Sequence, residues 1–281
     1  MSAATIPSLD ELLGYADKLP SLPEVIAYLI RELSDEKADL EKLTRHINTD
    51  PAVVARLLAA ANSASSGLSR RVHSAAQAFM LLGADRVAKI ILVSSLIYRY
   101  DAHATGFDAR LFWRHSLGVA ICTRTLAEQL GINPELAFVS GMLHDIGRLL
   151  MHTASPGLVM QALDLYRLDG IPSVIAERQV FGYNHCEAGR VLATAWKLPP
   201  DIVDTVAAHH EPDGFGSEIC DLVHVGECLS HALDLDGVPN NRVPDVSELA
   251  CARLGLSWPK FAPHFAEIGA RFDDFRVTLG L

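Results

Sequence analysis

The stretch Asn184–Pro212, NHCEAGRVLATAWKLPPDIVDTVAAHHEP, decides the character of the chain. It reads as two helices, 185–196 and 200–210, with His185, His209 and His210 set among apolar residues. Apolar positions recur with a 3.6-residue period rather than alternating, which is the signature of helix and not of strand. The same period, punctuated by capping residues, runs along almost the whole sequence, so an all-α fold is expected.

Working outward, Ser21-Leu22-Pro23-Glu24 forms a capping box that opens a helix through Leu33. Asp39 and Asp50-Pro51 start a second and a third helix, and Asp85–Arg99 places Val87, Ile90, Ile91, Ser94 and Ile97 on one stripe. The polar, glycine-containing run Tyr100–Asp108 marks a boundary. Helices then cover about 111–130, Asn133-Pro134 through Leu143, 172–181 and 218–233, in addition to the two in the opening stretch. Asp234–Pro244 reads as a linker, and amphipathic segments at 246–254 and 259–275 pack back on the body. The expected organisation is a helical bundle of two packed lobes, 1–104 and 105–235, with 236–281 as a linker and C-terminal helical segment.

Composition narrows the functional classes. With 281 residues, 49% hydrophobic and a mean hydropathy of +0.20, the chain can bury a sizeable core and is not disordered. Its net charge of -10 gives no general attraction for nucleic acid or anionic lipid. The acidic residues among Met1–Leu22 argue against a signal peptide, and Ile90–Tyr98 is far shorter than the roughly 20 apolar residues of a membrane span. Five cysteines without a CxxC pair fit neither a disulfide framework nor a zinc knuckle, so a reducing cytoplasm is the expected location.

Histidines carry the chemistry. His115 lies in FWRHSLGVA, His144 and Asp145 in GMLHDIGRLL, His185 in GYNHCEAG, and His209 and His210 in VDTVAAHHEP. Neutral imidazole and carboxylate are the ligands a divalent first-row metal takes, and helical bundles build such centres from inward side chains of several helices. A buried hydrogen-bond network is the alternative reading of the His144-Asp145 pair, and a polar helix end that of His209-His210.

These motifs, in collinear order with LPSLPEV (19–25), DPAVVARLLAAANSA (50–64) and VHSAAQAFMLLGADRVAKIIL (72–92), resemble the HDOD (HD-related output) branch of the HD-domain metal-dependent phosphohydrolases. The resemblance implies that the second lobe has an HD-like fold. It also implies one or two divalent transition metals, iron or manganese, which in HD enzymes activate water against a phosphodiester. By position, His115, His144, Asp145 and a late acid, here Glu227, would hold one ion. Asp145 would bridge, serving as the catalytic residue in an active enzyme, and His185, His209 and His210 would hold the second. HDOD domains are regarded as signalling output modules, so the resemblance points to signalling proteins as partners, with a nucleotide ligand and a homodimer as further candidates and no membrane.

Two departures from the pattern stand out. The family's HxAD-like segment is His224-Val225-Gly226-Glu227, with Glu for Asp. The segment after His209-His210, Glu211-Pro212-Asp213-Gly214-Phe215-Gly216, lacks the Tyr-Pro that follows in cyclic di-GMP phosphodiesterases. Arg148 is a candidate phosphate ligand but reads more simply as a solvated residue, and His224 is placed either beside the ligands or on the surface. The N-terminal stretch 37–89 carries eight basic residues against four acidic ones. Its second helix, VVARLLAAANSA, is too apolar to read bases, so nucleic-acid binding is disfavoured against core packing.

Overall fold

A computed structural model describes residues 6–16, 19, 27, 54, 57–59, 61–62, 74–99, 107–237, 242–279 and 281. The capping box at 21–24, the helix expected from Asp39 and much of the one after Asp50 lie outside the described residues. Among the described residues there are helices and no strand. They are α1 (Leu9–Ala16), α2 (Ala75–Leu82), α3 (Ala84–Arg99), α4 (Ala109–Leu130), α5 (Pro134–Leu143), α6 (Ile146–Ala154) and α7 (Pro156–Leu168). There follow α8 (Ser173–Phe181), α9 (His185–Ala195), α10 (Pro200–Ala208), α11 (Glu218–Ala232), α12 (Glu248–Arg253), α13 (Trp258–Phe261) and α14 (Phe265–Leu279).

The boundaries follow local chemistry. Asp108 accepts from the Leu111 N–H to start α4, and Gly131, at φ 70°, ends it in the left-handed region that glycine adopts without strain. Asn133 takes the N–H groups of Glu135 and Leu136 at the start of α5, with Pro134 as the first helical residue. Asn184 and Glu187 form a reciprocal capping box at α9, and Ser217 caps α11.

Helix α4 is the axis of the bundle. It packs against α3, α5, α11 and α14, and its residues from Phe112 to Ala127 are buried almost all round. Gly226 of α11 faces Thr123 so closely that a Cβ would stand 2.3 Å from its Oγ1, and this near approach sets α11 against α4. A second crossing joins α6 to α9. A Cβ on Gly147 would lie 1.9 Å from the His185 carbonyl oxygen and 2.5 Å from the Gly189 nitrogen. Two glycines therefore allow backbone-to-backbone contact and bring the N-terminal ends of both helices together.

The helix expected to run through Leu143 ends there: α5 stops at Leu143, α6 starts at Ile146, and His144 and Asp145 form the turn between them. Asp145 has φ -99° and ψ 12° at the N-cap position, yet its side chain caps nothing. That carboxylate is directed elsewhere.

Candidate metal centre

Five elements deliver the seven side chains singled out in the sequence. His115 projects from α4 and Glu227 from α11; His144 and Asp145 form the α5–α6 turn; His185 is the first residue of α9; His209 and His210 follow α10. All seven converge on Asp145. Its Oδ1 lies 3.1 Å from His185 Nε2 and 3.7 Å from His209 Nε2, and its Oδ2 lies 3.8 Å from His144 Nε2 and 4.0 Å from His115 Nε2. His210 places Nε2 3.1 Å from His185 Nε2 and Nδ1 3.7 Å from Glu227 Oε2. The His115 and His210 side chains are 13% and 16% exposed, while those of the other five are at or below 5%, so the centre meets solvent along one narrow edge.

The outward ring nitrogens explain why the inward ones converge. His144 Nδ1–H donates to the Gly141 carbonyl at 2.7 Å, and His209 Nδ1–H to the Val206 carbonyl at 3.2 Å. His185 Nδ1 is held by Glu177 at 2.6 Å, and His115 Nδ1 by Asp236 at 2.9 Å. Each contact fixes the ring and its tautomer, leaving an Nε2 lone pair aimed inward. Glu177 and Asp236 were not singled out in the sequence. Glu177 lies eight residues before its histidine and Asp236 in the expected linker, and neither spacing marks a partner. His231 adds a ring contact to His115, with centroids 4.9 Å apart.

At the middle of the cluster, His144 Nε2 and Asp145 Oδ1 are buried and have no hydrogen-bond partner. An orphaned buried acceptor costs free energy, about 1–3 kcal/mol each, unless something else meets it. Two such acceptors among converging imidazoles suit a cation. The donors lie at mutual distances within 4.8 Å: imidazole nitrogens and carboxylate oxygens in the groups His115–His144–Asp145, His115–Glu227–His231 and His144–His209–Glu227, and imidazoles with the Cys186 thiol in His185–Cys186–His209–His210. The residues present therefore fit a divalent transition metal.

Comparison with known proteins agrees with this arrangement. The profile of the HDOD domain matches residues 19–212. The chain belongs to the HDOD family. Its fold superposes on an HDOD domain protein of unknown function from Geobacter sulfurreducens with a TM-score of 0.75, at 23% identity, over 95% of this chain and 99% of the other. A Shewanella amazonensis protein with a provisional phosphohydrolase assignment gives a TM-score of 0.72 at 26% identity, over 96% of each chain. In sequence, an uncharacterised Treponema pallidum protein is 24% identical over 200 residues, 69% of this chain and 38% of that protein. Ribonuclease Y of Thermus thermophilus is 29% identical over 158 residues, 54% of this chain and 22% of the enzyme. The chain thus spans well under half the length of these two sequence relatives. The HDOD match ends at Pro212, so Glu227 and Asp236 reach the cluster from outside the matched span.

Electrostatics within this HDOD centre divide the imidazoles into two groups. Burial pushes His144 down to about 4, and burial together with the neighbouring histidines holds His209 and His210 well below their usual range. For His115 and His185 the opposite holds: burial opposes protonation, but Asp236 raises His115, and Glu177 with Asp145 raises His185 well above 6.5. Burial also acts against the Asp145 carboxylate, yet Arg148 and the histidines keep it well below the usual range. Glu227 is lifted to about 7 by burial and by the charge of Asp145. Metal binding requires neutral imidazole and carboxylate, so it would release protons from His115, His185 and Glu227.

Two residues left open by the sequence find places here. Arg148 is not a solvated surface cation: its Nε donates to Asp145 Oδ2 at 2.7 Å and its Nη1 to Glu177 at 3.0 Å. His224 is buried, donating Nδ1–H to the His209 carbonyl at 2.8 Å and accepting from the Ser247 N–H at 2.9 Å. Ser247 caps α12, and Arg253 on that helix grips Asp221 of α11. The start of the C-terminal segment is thereby tied to the backbone that carries His209. His46, His73 and His103 lie outside the described residues. Among the described residues no helix is long and apolar enough to cross a membrane.

Proposed function

We propose that this HDOD protein is a regulatory output module that acts through contacts with signalling proteins and retains a divalent metal centre, iron or manganese, in its HD-like lobe. The observation that carries the metal reading is the pair of buried, unpartnered acceptors, His144 Nε2 and Asp145 Oδ1, ringed by imidazoles whose other nitrogens are already committed. His115, His144, Asp145 and Glu227 would hold one ion, and His185, His209 and His210, with Asp145 between, a second. These seven ligands are nitrogen and oxygen donors, which suit iron or manganese, while the buried Cys186 Sγ lies within 4.8 Å of the donor atoms of His185, His209 and His210 and would offer a thiolate to a softer metal.

The regulatory half of the reading is supported by closure of the centre. Among the seven ligand side chains the most exposed are His115 and His210, at 13% and 16%, which leaves a phosphodiester little access to the centre. Arg148 already occupies Asp145 Oδ2, so the carboxylate best placed to bridge two ions is shared with an internal cation. Glu227 holds its proton up to about 7, and donating it to a metal costs that proton.

The second reading is an active metal-dependent phosphohydrolase, favoured by the likeness to the Shewanella protein and to ribonuclease Y. A bound metal would supply Lewis acidity and lower the pKa of bound water. Asp145 would orient that chemistry, and Arg148 would hold Asp145 in place. Protein loaded with manganese or ferrous iron should separate the two readings when assayed on an activated phosphodiester and on single-stranded RNA. The regulatory reading expects turnover no greater than that of folded Asp145→Ala. Turnover lost in that variant would overturn it in favour of the enzyme.

A further inference from the structure

Between α6, α7 and α8 lies a cavity of about 90 Å³, next to the metal centre. One wall is the stripe Val159, Ala162, Leu163 and Tyr166, spaced i, i+3, i+4 and i+7 along one face of α7. Met151 of α6 closes it from the other side. Polar atoms gather at a single end, formed by Arg148, Ser173 and Glu177. There Arg148 commits Nε to Asp145 and Nη1 to Glu177, but Nη2 makes only a 3.3 Å contact with Ser173 Oγ.

The volume limits the occupant. A single water needs about 10–15 Å³ and a cavity of about 150 Å³ takes benzene, so this space suits a branched chain of roughly four or five carbons. The polar end fixes its head: the Arg148 guanidinium lines the cavity, and its least committed nitrogen stands beside the Ser173 hydroxyl. A carboxylate matches the guanidinium fork and makes charge-assisted bonds that an alcohol or hydrocarbon would not.

We propose that this cavity is a second ligand site, for a compact branched-chain or similarly small apolar carboxylate, with its alkyl body on the α7 stripe and its head on Arg148 and Ser173. The ligand's carboxylate competes with Asp145 and Glu177 for one guanidinium. Loosening Arg148 from Asp145 frees that carboxylate for a cation, so ligand and metal raise each other's affinity by the same factor. The coupling rests on the metal-centre reading; the site itself does not.

Calorimetric titration of the metal-free full chain with isovalerate tests the site, with 3-methylbutan-1-ol as the headless control. Saturable binding is expected for isovalerate, at least about tenfold tighter than for the alcohol, and about tenfold weaker in Arg148→Met. Leu163→Trp, which fills the cavity from the α7 wall without touching the ion pairs, should abolish it while the circular dichroism stays that of the wild type. Absence of saturable binding to wild type, or undiminished binding to folded Leu163→Trp, would overturn the site. Repeating the titration on manganese-loaded protein should give tighter binding, and an unchanged affinity would overturn the coupling. Failure to take up manganese would remove the metal reading and the coupling with it, whereas isovalerate binding would still decide the cavity.

Discussion

Two clusters of ionisable side chains sit on the same central helix and differ in kind. Towards the end of α4, Arg124 joins Asp85 and Lys89 of α3, Glu135 of α5, and, through Glu128, Arg271 and Glu267 of α14. Every carboxylate there faces a cation: Glu135 meets Lys89 at 2.6 Å and Arg124 at 3.1 Å, and Glu128 meets Arg271 at 2.7 Å. Nine residues earlier, about 14 Å along the helix, His115 enters a cluster of opposite design. Its inward imidazoles and carboxylates gather on Asp145, and His144 Nε2 and Asp145 Oδ1 are buried without a hydrogen-bond partner; in the first cluster the atoms so placed, Arg124 Nε and Glu135 Oε2, belong to groups already paired with an opposite charge. A charge network that closes on itself is architecture, whereas one that leaves lone pairs converging on a common point is a site. Removing a member should therefore cost stability in the first cluster and metal in the second.

The largest expected effect tests the closed network. Lys89 is 1% exposed, so Lys89→Met leaves Asp85 and the partly buried Glu135 to Arg124 alone and should lower unfolding free energy in urea by about 3 kcal/mol, with metal content unchanged. A loss below about 1 kcal/mol would show that the network is decorative. Gly147→Ala comes next, because its new Cβ would collide with the His185 carbonyl. Forcing α6 and α9 apart should cost roughly 3 kcal/mol and also lower metal affinity, since Asp145 and His185 separate. Unaltered stability would mean that the crossing is not tight. Glu177→Gln keeps the shape but weakens the hold on His185 Nδ1; metal affinity should drop about 10–100-fold in an isothermal titration, with the unfolding midpoint near that of the wild type.

The smallest effect concerns pH. His152 is buried against Phe107, neither of its ring nitrogens has a partner, and burial holds its pKa below 6.5. Below that pH the unfolded chain takes up a proton that the folded chain refuses, so the unfolded state binds more protons and stability falls with falling pH. His152→Leu should therefore gain on the wild type in urea midpoint between about pH 7 and about pH 5. A constant difference across that window would rule out His152 as the source.

What could be read from the sequence divides along the same line. Caps are local, so Asn133-Pro134 and the start of α9 at His185 were legible, as was the collinear set of histidines that the cluster gathers. The helix end at Leu143 was legible as well, but the helices at Ile146–Ala154 and Pro156–Leu168 were not, because no side-chain cap opens either of them. Nor were Glu177, Asp236 and the double role of Arg148. Their partners lie on other helices, and only the crossing at Gly147 and Gly189 and the turn after α11 bring them into reach. The two-lobe division proposed from the sequence places its first lobe mostly in residues outside those described.

The most direct test of the central claim is the metal content of full-length protein, purified anaerobically without a metal-affinity column, compared with that of Asp145→Ala. The account predicts near-stoichiometric iron or manganese in the wild type and its loss in the folded variant. Wild-type protein that carries no metal and takes none up on reconstitution, or a variant that retains as much as the wild type, would contradict it.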